Sequence, residues 1–254
     1  MRPFFKHYGG KWLISRKCYR PLSGLPIVEP FCGAAGYSVR YGEGLVVHLY
    51  DTCPITVGIW EYLLGASQAD ILALPVAEIM RDGMDIRDLG LKEGAIRLIQ
   101  RWLTPQGSMS NYRAPPIFRE VYASQRNLGA CWSEVIRQRT ANQLPGIARW
   151  TITRADYQLA PDIEATWHVD PPYQHNASSG VYGHFVLDYL HLREWCCARR
   201  GLVMVHEQLG ADWLTFETLN PHAPTGRARK GKRGKQHEVW WTNFALPRPD
   251  PPAL

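Results

Sequence analysis

The chain has no apolar run that approaches the roughly 18 residues of a membrane-spanning helix. Residues 1–6 are too few and too mixed in character for a signal peptide. None of the six cysteines forms a C-x-x-C pair, and no histidine lies at zinc-finger spacing, so neither a zinc site nor a disulfide framework is indicated. Internal repeats are also missing. These absences predict a cytoplasmic protein with reduced thiols.

What is present is an ordinary globular composition, with 45% hydrophobic and 20% charged residues in 254 positions. A chain of this length suffices for one α/β domain of about 150–180 residues and a smaller insertion.

Positive charge is concentrated in one short segment. Six basic residues lie within the nine positions 227–235, whereas elsewhere 23 basic residues face 23 acidic ones. This local excess suits contact with a polyanion, and a solvated loop is an equally good interpretation. The six residues are Arg227, Arg229, Lys230, Lys232, Arg233 and Lys235.

The first third of the chain predicts the opening of a doubly wound α/β sheet. An apolar run at 25–31 leads into a glycine turn and a short helix at 37–41, and residues 46–51 form a second strand. Pro54 then stands where an amphipathic helix begins. A strand, a glycine turn, a helix and a strand that ends in an acid are typical of this fold.

The middle of the chain lacks a strand pattern, so residues 66–148 are predicted to form a mainly helical insertion. Strands are predicted again at 150–153, 166–170, 202–205 and 238–242, with a helix at 184–200. The basic segment would be the hairpin connection before the last strand. The predicted division is a catalytic domain at 1–65 and 149–246, the insertion at 66–148, and a proline-rich coil at 247–254.

The most specific pattern is Asp170-Pro171-Pro172-Tyr173, which follows an apolar strand. An aromatic amine such as N6 of adenine is a poor nucleophile because its lone pair is delocalised into the ring. A carboxylate and a backbone carbonyl that accept both N–H protons favour a pyramidal nitrogen with a free lone pair. The prolines would aim these acceptors because their φ is fixed, and the tyrosine offers a face for a base. A structural turn capped by aspartate is the alternative.

Three weaker features precede this motif. The glycine turn at 29–36 places small residues where a backbone approaches a ligand, although a packing role explains the turn better when it is taken alone. Asp51 ends the second strand, at about the distance along the chain from the glycine turn at which an acid binds ribose hydroxyls in nucleotide-binding folds. Alternatively, it caps the helix that starts near Pro54. The segment 5–11 combines aromatic residues, paired glycines and Lys11, and alone it could be an exposed loop.

Taken in order, these motifs resemble the D12 class (Dam-like, group α) of DNA adenine-N6 methyltransferases over about residues 4–65 and 148–245. The family's aromatic-Gly-Gly-Lys element and its Glu-Pro-Phe-x-Gly turn are matched by His7-Tyr8-Gly9-Gly10-Lys11 and Glu29-Pro30-Phe31-Cys32-Gly33. Asp51 matches the acid that follows the family's second strand, and Asp156-Tyr157 matches its Asp-aromatic element. Asp170-Pro171-Pro172-Tyr173 matches its DPPY motif. A late Gly-Lys…Glu-x-x-Trp-x-Asn segment resembles Gly234-Lys235, Glu238, Trp241 and Asn243.

The resemblance implies an enzyme that uses S-adenosylmethionine (SAM) to methylate N6 of adenine in double-stranded DNA after base flipping. It implies that Asp51 binds the ribose of SAM, that Asp156 binds its adenine, and that the turn at 31–35 lies against its methionine part. Asp170 and the Pro171 carbonyl would hold the target amine, with Tyr173 stacked on the base. The implied cofactor site comprises His7, Tyr8, Gly10, Lys11, Glu29, Pro30, Phe31, Gly33, Ala34, Asp51, Asp156, Tyr157 and Asp170.

The chain departs from the family pattern at three places. His7 stands where the family usually has Trp or Tyr, and Ala35 stands where a second glycine is common. His206 and Glu207 are predicted to follow the fifth strand, where a Ser-containing turn is usual.

Several alternatives are compatible with the sequence. Cytosine-N4 transfer uses the same kind of motif, RNA is a further substrate, and a catalytically inactive DNA-binding protein could share the fold. An NAD-dependent oxidoreductase leaves Asp170-Pro171-Pro172-Tyr173 unexplained. The expected enzyme is bacterial or phage-encoded and needs no metal for direct transfer. No pattern indicates its recognition sequence, its oligomeric state or a restriction partner.

Overall fold

The computed structural model describes residues 1–76, 83–103, 107, 110–115, 128–175, 187–219 and 238–244. In these parts of the chain, seven strands form one sheet with the order β3-β2-β1-β4-β5-β7-β6. Neighbours among β1 to β5 are parallel, whereas β7 is antiparallel to both β5 and β6. The strands are β1 (Ile27–Glu29), β2 (Val47–Asp51), β3 (Trp150–Arg154), β4 (Glu164–Val169), β5 (Arg200–Gln208), β6 (Glu217–Thr218) and β7 (Glu238–Thr242).

Helices connect the strands and form most of the described part of the predicted insertion. The α-helices are α1 (Gly36–Tyr41), α2 (Pro54–Gly65), α3 (Gln68–Leu72), α4 (Glu93–Gln100), α5 (Glu134–Gln143) and α6 (Tyr189–Cys197). Short 3-10 helices lie at Ile14–Lys17, Ile86–Leu89, Leu128–Ala130, Leu144–Ile147 and Tyr157–Leu159. None of the helices in the described ranges is long and apolar enough to cross a bilayer.

The sheet is buried on both faces. Ile27 and Val28, adjacent in β1, belong to two different apolar clusters, and so do Val203 and Met204 in β5. Because successive side chains of a strand point to opposite faces, the two clusters are the two sides of one sheet. Helices α1, α2 and α4 pack in the first cluster, while α6 packs in the second through Leu192. The predicted doubly wound, Rossmann-like fold is confirmed.

Most predicted elements are present with shifted ends. Strand β7 occupies the predicted 238–242, and α2 begins at Pro54 as predicted. The predicted helix at 184–200 is described at Tyr189–Cys197. Strand β6 is not predicted because its two residues are exposed and polar and leave no apolar signal.

The prediction that His206 and Glu207 follow the fifth strand is wrong. Both residues lie inside β5, which extends to Gln208 because β7 pairs with it along residues 204–208. Both side chains are fully buried. The strand therefore carries two ionisable groups into the interior, next to the end of β4.

The predicted insertion packs against the sheet domain at the described positions. A β-carbon at Gly94 of α4 would come within 2.5 Å of the Tyr62 β-carbon in α2, so these two helices are in close contact. Trp102 and Trp132 belong to the same apolar cluster as Val47 of β2. The described residues between 66 and 148 contain one isolated bridge, between Asp85 and Arg113, and otherwise helices and turns. The domain boundaries stay a prediction.

Candidate active site

A cavity of about 590 Å³ lies at the carboxyl ends of β1, β2 and β4. Parallel α/β sheets bind their ligands at this edge, and the volume is within the usual range for a small-molecule site. All the predicted catalytic and cofactor residues line the cavity, except Asp156. The structure thus brings together segments that are far apart in the sequence.

The glycine turn after β1 contains two residues in the left-handed conformation. Gly33 and Ala35 both have a φ of 47°. This conformation costs an alanine roughly 1–2 kcal/mol. That cost gives a physical reason why glycine is common at this position in the family that the sequence resembles. The indole N–H of Trp60 donates to the Gly33 carbonyl at 2.8 Å and holds the turn from the core side. The backbone of the turn is therefore fixed against the cavity.

The N-terminal segment lies directly on this turn. A β-carbon at Gly36 would come within 2.5 Å of the Trp12 nitrogen and 2.8 Å of the Lys11 carbonyl carbon, so glycine is required for the approach. A β-carbon at Gly33 would lie 3.0 Å from the His7 ring. Burial lowers the pKa of His7 to about 3. The imidazole is therefore a neutral ring that covers the turn.

Asp51 joins the ends of β1 and β2. Its Oδ2 accepts the N–H of Gly33 at 2.9 Å, and its Oδ1 accepts the N–H of Cys53 at 2.8 Å. Cys53 is the N-cap residue of α2 and makes no side-chain capping bond, so Asp51 fixes the start of this helix through the Cys53 N–H while it also lines the cavity. Burial raises its pKa. Each carboxylate oxygen has two lone pairs, so Asp51 keeps acceptor capacity for a ligand.

Asp170 is paired with a buried lysine. Lys11 Nζ lies 2.9 Å from Asp170 Oδ2 and 3.5 Å from Glu238 Oε1, and it donates to the Gly9 carbonyl at 2.8 Å. Burial alone would lower the pKa of Lys11, but Asp170 and the other nearby acidic groups raise it well above its usual value. The lysine therefore stays charged and occupies one oxygen of Asp170. Among the described residues, the other oxygen has no hydrogen-bond partner.

Tyr173 is held by its hydroxyl and by its ring. The hydroxyl donates to Glu238 Oε1 at 3.1 Å, and Lys11 Nζ lies 5.0 Å from the ring centre. Burial favours a higher pKa for Glu238, but Lys11 and His206 lower it to about 2. Glu238 is thus an ionised anchor shared by Lys11 and Tyr173.

The Pro-Pro turn is fixed from both sides. Tyr189, the first residue of α6, donates its hydroxyl to the Pro172 carbonyl at 2.7 Å. Glu207 in β5 accepts the N–H of Gln174 at 3.1 Å. Within the described ranges no donor reaches the Pro171 carbonyl, so this acceptor is open to a ligand.

Two buried histidines form a polar layer in β4 and β5. The rings of His168 and His206 are 4.8 Å apart. His168 Nδ1 lies 3.2 Å from Glu29 Oε2, and His206 Nδ1 lies 3.3 Å from Glu238 Oε1. Burial lowers the pKa of His206. The layer therefore connects the glutamate at the end of β1 with the glutamate at the start of β7.

His168 and Glu238, which line the cavity, and Glu207, which holds the Pro-Pro turn, are not among the predicted site residues. Glu238 belongs to the late motif of the resemblance, but neither His168 nor Glu207 belongs to any motif. All three lie in apolar strands, where an unpaired ionisable group would be costly. That interruption of the apolar pattern is the signal that could have identified them.

Asp156 lies outside the cavity wall. Its carboxylate accepts the N–H of Gln158 at 3.1 Å, at the start of the short helix Tyr157–Leu159. Its neighbour Tyr157 does line the cavity, with its ring stacked on Phe31 at 5.4 Å. The cofactor role of Asp156 stays a prediction. The six predicted DNA-binding residues at 227–235 lie outside the described residues.

No family model and no curated protein matches this chain. Among solved structures, the chain is similar to the rRNA methyltransferase AviRa from Streptomyces viridochromogenes, with 16% identity, a TM-score of 0.37, and coverage of 95% of this chain and 88% of that one. It is also similar to a conserved hypothetical protein from Streptococcus pyogenes, with 10% identity, a TM-score of 0.33 and coverage of 88% of each chain. Neither TM-score is high enough to bear on function, which has to be inferred from the site.

Proposed function

We propose that this protein is a SAM-dependent methyltransferase that transfers a methyl group to N6 of adenine in DNA. One observation carries the proposal: the Asp170–Tyr173 turn, the glycine turn after β1 and the segment 7–11 all line one cavity of about 590 Å³. The same three elements, in the same order along the chain, carry the resemblance to the Dam-like family.

The cavity wall fits SAM in charge and in surface. SAM has a positive sulfonium, and the described residues of the wall present the carboxylates of Glu29, Asp51, Asp170 and Glu238 against the ammonium of Lys11. The stacked rings of Phe31 and Tyr157 offer a flat apolar surface for a nucleobase.

Unpaired polar atoms in the wall also fit a polar ligand. His7 Nδ1 and His168 Nε2 are buried without a hydrogen-bond partner among the described residues. Buried polar atoms in native proteins normally have hydrogen-bond partners. A bound molecule that supplies the partners of these two nitrogens would complete the site. When bound, SAM supplies the methyl group.

Asp170 and Pro171 supply the two acceptors that the target amine needs. Lys11 occupies Oδ2 of Asp170 and Tyr189 occupies the Pro172 carbonyl, so Oδ1 and the Pro171 carbonyl are the acceptors left for a ligand. Accepting both N–H protons favours a pyramidal nitrogen whose lone pair can attack. Forming the nitrogen–carbon bond would break the bond between the methyl group and the sulfonium sulfur, which would leave as a neutral thioether, and the amine would lose one proton, for which Asp170 Oδ1 is the acceptor at hand.

Tyr173 is proposed to stack on the target base after the base has left the duplex. A base inside the stack does not present its amine for in-line attack. The contacts of Glu238 and Lys11 with Tyr173 fix the ring before the base arrives. Such preorganisation contributes to rate through positioning.

The decisive test is methyl incorporation from labelled SAM into DNA from a methylation-free host, followed by nucleoside analysis. N6-methyladenine is expected. N4-methylcytosine, or transfer to RNA alone, would contradict the adenine-DNA assignment. DNA binding without any methyl incorporation would instead favour a catalytically inactive DNA-binding protein. Modified-base sequencing of DNA from a host that expresses this chain would identify the recognition site.

A further inference from the structure

Positive charge is concentrated in a second region, besides residues 227–235. The first 40 residues contain seven basic residues and one acidic residue, Glu29. Outside these two regions acidic residues exceed basic ones. The equal numbers of basic and acidic residues outside 227–235 are therefore the sum of a basic N-terminal region and an acidic remainder. Lys11 lies in the cavity and Lys6 donates to the Ala130 carbonyl. The other five basic residues are available for a different role.

Three of these five side chains lie against two aromatic rings, and the other two, Arg16 and Lys17, are in the short helix Ile14–Lys17 beside them. The Arg40 and Arg2 guanidinium carbons lie 4.1 Å and 5.7 Å from the centre of the Trp12 ring, and that of Arg20 lies 6.0 Å from the centre of the Tyr41 ring. A stacked guanidinium is held by its face and keeps N–H donors at its edge. We name this feature the N-terminal basic surface, which consists of Arg2, Trp12, Arg16, Lys17, Arg20, Arg40 and Tyr41.

The charges of this surface are not balanced within the described structure. No carboxylate there lies within ion-pair distance of any of the five basic side chains. Glu43, an acid near its border, is 3.9 Å from the N-terminal ammonium. After burial, the charge of Arg16 lowers the pKa of Lys17, and it also contributes to the lowered pKa of Arg40. Like charges gathered without counter-charges favour a bound polyanion.

Two elements connect this surface to the active-site cavity. The short helix Ile14–Lys17 follows Lys11, whose carbonyl accepts the N–H of Ser15 at 2.8 Å. Helix α1 begins at Gly36 in the cavity wall and runs about 9 Å along the sheet to Tyr41, where the next residue, Gly42, accepts the indole N–H of Trp150 at the start of β3. Along the axis of duplex DNA, each strand carries one phosphate per about 3.4 Å. Phosphates a few nucleotides from a base in the cavity would therefore be within reach of this surface.

We propose that the N-terminal basic surface binds the sugar-phosphate backbone of the nucleic acid beside the target base. The inference rests on the proposed function for the identity of the base in the cavity. None of the five basic residues lines that cavity, which fits a backbone lying across an open surface. Contacts of this kind position a duplex and carry little sequence information.

The test compares two triple variants that remove the same charge. The first replaces Arg16, Lys17 and Arg20 with glutamine, and the control replaces Arg149, Arg154 and Arg193, which are exposed elsewhere. Binding to a duplex oligonucleotide is measured over a range of salt concentrations. Removing one phosphate contact lowers the slope of log affinity against log salt by about 0.9. The slope of the first variant is expected to fall by up to about 2.7, and the control is expected to keep the wild-type slope.

Equal slopes in the two variants would overturn the inference, and so would weaker binding to anionic vesicles with unchanged binding to the duplex. Methyl transfer by the wild-type chain is measured in parallel. If it is absent while the slope of the first variant falls, the proposed function fails and the basic surface stands. If transfer is present while both variants keep the wild-type slope, the basic surface fails and the proposed function stands.

Discussion

In the cavity, one buried lysine is shared by two carboxylates. A buried ion pair contributes little net stability because desolvation of its charges opposes their attraction. Removing one member is costly, since the remaining charge is left without its partner. Lys11 contacts both Asp170 and Glu238, so each single substitution leaves it with one counter-charge. The arrangement is explained better by the orientation of Asp170 and Tyr173 than by a gain in stability.

Replacing Asp170 with alanine or asparagine is expected to lower methyl transfer by a factor of about 10²–10³ or more, because the variant no longer stabilises the transition state at the target amine. The fold should remain nearly intact, since Lys11 keeps Glu238 as a partner. Single-turnover methyl transfer and circular dichroism provide the measurement, and Asp162→Asn on the surface is the control. A folded Asp170 variant with near wild-type turnover would contradict the catalytic assignment.

Replacing Asp51 or Lys11 with alanine is expected to weaken SAM binding in calorimetry. Because Asp51 also holds the N–H groups of Gly33 and Cys53, weaker binding alone could come from a disturbed turn. A SAM analogue that lacks a ribose hydroxyl separates the two causes. If Asp51 binds the ribose, the effects of Asp51→Ala and of the missing hydroxyl are not additive. Unchanged SAM affinity in Asp51→Ala would leave that residue with the structural role alone.

At the scale of elements, the parallel core of the sheet could be predicted from the sequence. Strands buried on both faces read as continuous apolar runs, as β1 and β5 do, whereas the two exposed residues of β6 leave no such signal. The glycine turn, Asp51 and the Asp170–Tyr173 turn could be brought together because each follows a predicted strand and the carboxyl ends of parallel strands meet at one edge. The segment 7–11 precedes the first strand, so only the resemblance placed it at the same site. The contacts of Glu238 with Lys11 and Tyr173 depend on β7 pairing antiparallel to β5. No local pattern encodes that long-range pairing.

Two glycines in different helices should respond to alanine in opposite ways. At Gly36 of α1 a β-carbon would meet the backbone of Trp12 and Lys11 at 2.5–2.8 Å, so Gly36→Ala should lower both the stability and the SAM affinity. At Gly58 inside α2 nothing lies within 4 Å, so Gly58→Ala should raise stability by roughly 0.5–1 kcal/mol. Urea unfolding and calorimetry on both variants test this. A Gly36→Ala protein as stable as wild type would show that the N-terminal segment is not packed on α1 as described.

For the whole molecule, stability is expected to fall as the pH decreases from about 6.5 towards 3. Unfolded histidine binds a proton below about pH 6.5, whereas burial lowers the pKa of His7 to about 3 and also lowers that of His206. Between these values the unfolded state binds more protons, so unfolding becomes more favourable on acidification. Urea unfolding at several pH values should show a flatter dependence for His7→Tyr than for wild type. Identical pH dependence in the two proteins would mean that His7 is not buried as a neutral ring.

The two basic regions hold an excess of positive charge that the rest of the chain only partly offsets, which gives the net charge of +6. Both regions are expected to contribute to binding along the nucleic-acid backbone. Replacing Arg229, Lys230, Lys232 and Arg233 with alanine should weaken binding to all sequences alike and lower the salt slope by about 0.9 for each phosphate that is no longer bound. The methylated site should stay the same, because positioning contacts carry little sequence information.

Combining this change with the Arg16, Lys17 and Arg20 substitutions tests whether the two regions bind separate phosphates. Independent contacts should give additive decreases in slope, measured by salt titration alongside modified-base sequencing of each variant. A combined decrease no larger than either single decrease would show that the two regions compete for the same phosphates. A changed recognition site with an unchanged slope would show instead that residues 227–235 read bases. The predicted insertion at 66–148 would then not be the sole recognition element.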